Sequence, residues 1–323
     1  MNAAHKSENG NFVLPFTVDN LNIRGRLVRL DSVIDTILRR HSYPSPVSRA
    51  VGEALVIAAL LGSSLKTDNG HFQVQTKSKG PIESLVADFA AHGAMRAYAR
   101  FDEKMLNDLD HMKVIPTAEL LGEGILAMTI DPGNDMKQYQ GIVDLDKKGF
   151  EGAANRYFEQ SEQIPTSIRI AVAEHYENGI CRYRAGGIMA QHIPSMGGHS
   201  LNEQSSPDQA DAANDWEEGR LLLETVEDHE LTDPQISAET LLYRLYHEQG
   251  VRIYPELMLA EQCQCSRERI LDMISSFPEA ERNDMFDKEG HIGVTCQFCS
   301  RHYDLTKPEI EASISTRNPA FRG

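Results

Sequence analysis

Positive charge is scarce in this chain. Lysine and arginine number 32 against 48 aspartates and glutamates, a formal net charge of -16. Nucleic acid is held by neutralising its phosphates, so a field of this sign argues against nucleic acid and against anionic lipid as partners. Long apolar runs are lacking too. A membrane span needs about 20 such residues, and the most apolar segment, 47–65, is broken by Ser63 and Ser64. Residues 1–11 are polar and carry no apolar signal core. The expected setting is therefore cytoplasmic, with no membrane partner. No GxxxxGK[ST] loop is present, so nothing argues for ATP. No hydrolytic triad stands out either, and no enzyme activity is expected.

Cysteine is nearly absent from the first 262 residues, where Cys181 stands alone in a strand-like segment as a core or edge filler. The other four come as Cys263-Gln264-Cys265 and Cys296-Gln297-Phe298-Cys299. In a reducing compartment, clustered cysteines imply a metal or redox site, not a structural disulfide frame. Two close pairs separated by a long loop suit a closed tetrahedral zinc site, one ion per chain, with no open position for catalysis. The same pairs can also oxidise locally, Cys263 with Cys265 and Cys296 with Cys299. Arg267, Arg269, Arg301 and His302 lie near them in sequence and would help hold thiolates charged; the competing reading is plain solvated surface. A helix starting near Ser266 would aim backbone N–H groups at Cys265.

Strands are expected at 23–30, 71–76, 84–89, 95–101, 125–131, 138–145, 168–173 and 181–191. Ser32 is expected to cap a helix over 33–40. Further helices are expected at 47–65 and 152–160. Strands and helices do not alternate as βαβ units, so the fold class is α+β. A Gly- and Ser-rich stretch, 195–211, suggests a flexible connection. Two helices, 215–227 and 237–248, then pair acidic faces with leucine stripes and need a partner surface. From 200 to 250 there are 13 acids, two arginines and no lysine, which marks this part as an acidic linker. The expected domains are an N-terminal mixed strand and helix domain (1–193), a helical linker (194–250) and a small four-cysteine zinc domain (251–323), too small for much of a core without a staple.

The CQCSRERI and CQFC segments, with RGRLVRL (24–30), YQGIV (139–143), YFEQSEQIPT (157–166), AGGIMAQHIP (185–194) and LLYRLYHE (241–248), resemble the heat-shock protein 33 family over residues 23–318. That resemblance implies a redox-regulated, ATP-independent molecular chaperone. Its zinc ligands and redox-active thiols would be Cys263, Cys265, Cys296 and Cys299. Oxidation would form two disulfides and expel zinc. The linker would then unfold, unfolding client proteins would be held, and a homodimer would form. The alternatives are a thiol-disulfide oxidoreductase and a zinc-stabilised adaptor.

Overall fold

The structure is a computed structural model describing residues 10–65, 70–109, 111–133, 136–177, 179–193 and 207–317. It divides into two compact units, Met1–Glu261 and Gln262–Gly323. The first unit opens with β1 (Phe12–Val18), β2 (Ile23–Leu30), α1 (Ser32–Arg39) and α2 (Ser45–Gly62). It continues through β3 (His71–Ser78), β4 (Ile82–Ala90), β5 (Ala94–Phe101), α3 (Glu103–Asn107) and α4 (Thr117–Leu121). Then come β6 (Gly124–Asp131), β7 (Tyr139–Asp144), α5 (Gly149–Tyr157), β8 (Thr166–Glu177) and β9 (Ile180–His192). The acidic segment supplies α6 (Pro207–Glu224), α7 (Asp228–Thr232) and α8 (Ala238–Tyr246), followed by β10 (Val251–Ile253), β11 (Leu257–Met258) and β12 (Ala260–Glu261).

Two sheets carry this unit. One runs β10-β1-β2-β9-β8, with β11 also on β1; the other runs β12-β5-β4-β3-β6-β7. Every pairing is antiparallel except β12 on β5. The fold is α+β, as expected. Helix α2 packs on strands of both sheets, and its apolar surface is buried nearly all round. An 18-residue helix of this composition is long and apolar enough for a membrane, but here that surface forms the main core.

One expectation changes on inspection. Ser32 does not cap α1: the N-cap is Asp31, whose side chain makes no capping bond. Buried Asn11 does the work from outside the helix, its Oδ1 accepting from Asp31 N (2.8 Å) and Val33 N (3.0 Å). The compact division falls at 261/262, and 251–261 form three short strands on β1 and β5. Of the connection expected at 195–211, residues 195–206 lie outside those described, and α6 starts at Pro207.

The acidic helices lie on the outer face of the first sheet. Leu223, Val226, Leu231, Leu241, Leu242 and Tyr246 are buried against Leu14, Phe16, Ile23, Leu27 and Ile188. Each such side chain is worth about 1.5–3 kcal/mol on burial, which holds helices too short to be stable alone. Polar contacts fix the register. Arg29 Nη2 donates to the carbonyls of Glu230 (2.8 Å) and Ile236 (3.1 Å). Arg169 Nη2 reaches Asp228 Oδ1 at 3.2 Å. Trp216 packs at the edge of this cluster, its ring centroid 6.1 Å from that of His192.

Beneath α7, Glu53 of α2 accepts a hydrogen bond from Thr117 Oγ1 at 2.7 Å. Burial is the main cause that raises its carboxyl to about 7; the Thr117 bond opposes it. A carboxyl raised on folding contributes stability that is fully present below its unfolded value near 4.5 and is lost as pH rises through about 7. The urea midpoint of the chain should therefore fall between pH 5 and pH 7.5, and Glu53→Gln should flatten that fall. An unchanged slope in the variant would assign the pH dependence elsewhere.

Candidate metal centre

The second unit has three helices and one hairpin: α9 (Arg267–Ser275), α10 (Glu279–Met285), β13 (His291–Thr295), β14 (His302–Thr306) and α11 (Lys307–Arg317). Its core is small, with Ile270, Ile274, Ile292, Tyr303, Leu305 and Ile310 as the buried members. Helix α9 begins where expected, capped by Ser266, whose Oγ accepts from Arg269 N at 3.2 Å. Cys263 and Cys265 lie on the extended segment just before that cap. Cys296 and Cys299 sit in the turn joining β13 to β14. That turn is closed by Cys296 N to Arg301 O and Ser300 N to Cys296 O, both 2.9 Å, with Ser300 left-handed at φ 57°.

Folding brings all four expected cysteines together. Their sulfurs lie within 4.8 Å of one another. Cys263 Sγ is 3.6 Å from Cys296 Sγ, and Cys265 Sγ is 3.3 Å from Cys299 Sγ. Four sulfurs at Zn–S distances of about 2.3 Å and tetrahedral angles stand about 3.8 Å apart. The spacing therefore fits a four-thiolate zinc site. No imidazole or carboxylate joins the cluster among the described residues. The donor set is soft and complete, as suits zinc in a structural role.

Burial pushes the Cys263 thiol up. Burial likewise pushes Cys299 up to about 12, with hydrogen bonds to the other cysteines adding to it. At Cys265 burial acts upward as well, but hydrogen bonds from Tyr303 and the other cysteines outweigh it and bring the thiol down to about 7. A thiolate is thus favoured at Cys265 and disfavoured at Cys263 and Cys299, and a cation bound there would release protons.

The basic neighbours divide their roles in a way that sequence proximity does not reveal. Arg267 is drawn away: its guanidinium pairs with Glu309 at 2.7 Å and donates to Asp304 O at 2.7 Å. Hydrogen bonds from the Thr306 N–H and O–H, and from Arg267, hold the Glu309 carboxyl down to about 2. Arg269 clamps the CxC turn through Gln264 O at 2.8 Å. His302 Nδ1 bonds Thr295 Oγ1 across the hairpin at 2.9 Å. Arg301 has its charge set beside Tyr303, Cys265 and Cys299. The residue missed in the sequence is Tyr303, whose O–H donates to Cys265 Sγ at 3.2 Å. Cys181 belongs to the first unit, opposite Tyr176 at the connected end of the β8–β9 hairpin, where its carbonyl accepts from Arg39 Nη2.

A mixed α+β unit followed by a compact unit with four gathered thiols defines a protein with a built-in thiol centre. The family model described as "Hsp33 protein" matches residues 11–306, and the chain belongs to that family. It is 41% identical to the 33 kDa chaperonin of Caulobacter vibrioides, over 92% of this chain and 95% of that protein. It is 32% identical to the 33 kDa chaperonin of Nitrosococcus oceani, over 92% and 91%. The crystal structure of a 33 kDa chaperonin from Thermotoga maritima superposes with a TM-score of 0.73 at 20% identity, over 96% of this chain and all of that one, a likeness of fold.

Proposed function

We propose that this chain is a redox-regulated holdase, a chaperone that binds unfolding proteins and keeps them from aggregating during oxidative stress. One observation carries the reading: four cysteines from two distant segments gather within 4.8 Å in a unit whose described residues include six buried core members. Family membership supports the chaperone class. Cys263, Cys265, Cys296 and Cys299 hold one zinc in the reduced chain, and the ion supplies folding energy to a unit with little core of its own. Oxidation removes the ligands as disulfides. Proximity alone does not choose the partners, since every sulfur is near every other. Once the metal has left, loop closure favours the short rings, Cys263 with Cys265 and Cys296 with Cys299.

The functional parts under this reading are a chaperone core (1–193), a releasable acidic segment (194–250) and a redox unit whose compact part begins at Gln262. The acidic helices cover an apolar sheet face, and their release uncovers both surfaces to a client. The net charge keeps the loaded complex soluble. No nucleotide enters, and the setting is the cytoplasm. An oxidoreductase role has less support. Reactive cysteines of that class sit at helix N-termini, whereas Cys296 follows a strand in a hairpin turn.

The test follows zinc release, Trp216 emission and aggregation of a heat-unfolded client on one time axis while the chain is oxidised. Zinc release and the emission change should precede or accompany client holding, peptide maps should show the two short disulfides, and sedimentation should show a dimer. Client holding by a reduced chain with its zinc still bound would sink the switch. Turnover of a small disulfide substrate would favour the oxidoreductase reading.

A further inference from the structure

Within the first unit, the acidic segment closes over a polar cleft of about 310 Å³. Helix α2 lines it with Glu53, α4 with Thr117, α5 with Glu151, β8 with Arg169 and α7 with Asp228. Three carboxyls and one guanidinium thus share the cleft. Arg169 divides its hydrogens. Its Nη1 stands 3.7 Å from Glu151 Oε2, while Nη2 reaches Asp228 Oδ1 at 3.2 Å and Val226 O at 3.4 Å. Its Nε is buried without a partner. Glu151 is tied further, its Oε1 accepting from Ile170 N of edge strand β8 at 2.7 Å. Arg49 lies one turn before Glu53 on α2, so it stays beside Glu53 whether or not α7 is seated. Lys147 and Lys148 stand exposed at the mouth. His229 of α7 pairs with Glu227 at 3.2 Å and lines a different cleft.

We propose that this cleft is a proton-operated latch on the acidic segment: α7 seats over a neutral Glu53 and lifts when Glu53 ionises. The inference deepens the reading above, since it takes the acidic segment to be the part that is released. Geometry sets the sign. A seated α7 covers the cleft and brings the Asp228 carboxylate to its mouth, and both disfavour charge on Glu53. Such coupling is reciprocal: what seating does to the proton, the proton does to seating. Burial, the largest cause, raises the Glu53 carboxyl to about 7; Glu151 and Asp228 add to it, and the Thr117 bond and Arg49 oppose it. Burial and Asp228 push Glu151 up as well, against the Ile170 N–H and Arg169, so its effect has the same sense. Once α7 lifts, water reaches Glu53 and its carboxyl returns toward the ordinary 4.5. Seating is therefore fully favoured below about 4.5 and weakens as pH rises through about 7. A charged Glu53 also competes for Arg169, whose Nε still has a hydrogen to give. Asp228 and Val226 then lose the donor they share.

The test uses the full reduced chain with no oxidant. Hydrogen exchange is followed at pH 6 and pH 8, corrected for intrinsic rates, at Val28 of β2 and at Glu230 and Asp233. The N–H groups of the last two close α7 on Glu227 O and His229 O. The opening constant of α7 should rise about tenfold over that range, exceed that of Val28 at both values, and stay level in Glu53→Gln. An equal rise in Glu53→Gln overturns the inference. So does equal opening at α7 and Val28, because α7 would then leave only with the whole unit. Should Glu53→Gln fail to fold, the reciprocal measurement replaces it. The Glu53 carboxyl is titrated by carbon-13 resonance in the wild type and in Gly186→Val, whose side chain would crowd Leu231 O beneath α7. Its midpoint should move down toward 4.5 in the variant, and an unmoved midpoint overturns the latch. A heat-unfolded client is then added at pH 8. If α7 opens as expected while client aggregates as fast as client alone, the latch stands and the holdase reading falls.

Discussion

Stripping zinc from the reduced chain should unfold residues 262–317 and leave the first unit folded. The two units differ in what holds them. The first buries α2 between two sheets and adds a second cluster beneath the acidic helices. Among its described residues the second has six buried core residues, three helices of at most 11 residues and one two-stranded hairpin. A hairpin of two strands is marginal in water, and so are helices of that length. Structural zinc bound by four thiolates contributes on the order of 10 kcal/mol, more than such a unit can otherwise assemble. Native-state hydrogen exchange with and without a chelator, under reducing conditions, provides the measurement. Amides of Ile292 and Leu305, buried at the centre of the hairpin, should lose protection by several orders of magnitude. Amides of Val28 and Val74 in the first unit should keep theirs. Cys263→Ser combined with Cys296→Ser should reproduce the chelated state. Full protection at Leu305 in metal-free protein would mean that zinc is not the staple.

The cysteine centre was legible because thiolate spacing is a short-range, chemically narrow signal. The long buried helix was legible because nearly every residue of α2 is small or apolar. What escaped was mostly long-range. Strand β1 carries Pro15, which ordinarily demotes a run to an edge or a loop. Here Pro15 falls between Phe16–Val18, which face β10, and Phe12 and Val13, which face β11, so its missing N–H costs no ladder bond. Strands β10 to β12 are two or three residues long and show no alternation to detect. The partner of the acidic helices could not be read from their own stripes. The structure supplies it as the outer face of the first sheet. Tyr303 lies 38 residues from Cys265, a separation that no local spacing rule covers. Arg267 shows the converse error: adjacency in sequence suggested a thiolate partner, and Glu309 took the charge instead.

Replacing Gly186 should open the acidic segment without any oxidant. A Cβ built at Gly186 would stand 2.1 Å from the carbonyl oxygen of Leu231, and its three nearest atoms all belong to Leu231. The clash is therefore with the backbone of α7 and not with a side chain that can swing away. Gly186 pairs with Arg29 on one side and Ala171 on the other, so β9 itself stays hydrogen-bonded to both neighbours. Helix α7 must lift. When it does, the Arg29 bonds to Glu230 O and Ile236 O stretch together, and Leu231, fully buried, loses its seat. Overpacking of this kind costs about 1–3 kcal/mol even where neighbours can give, and five-residue α7 has no stability of its own to resist. Gly186→Val should hold a heat-unfolded client while reduced and zinc-loaded, with Trp216 emission shifted to the red. Gly186→Ala should show the same change to a smaller degree. Zinc content should match the wild type in both, which separates release of the segment from damage to the metal centre. If Gly186→Val kept its linker amides protected and still needed oxidant before it held client, the seat of α7 on β9 would not be the brake on this chaperone.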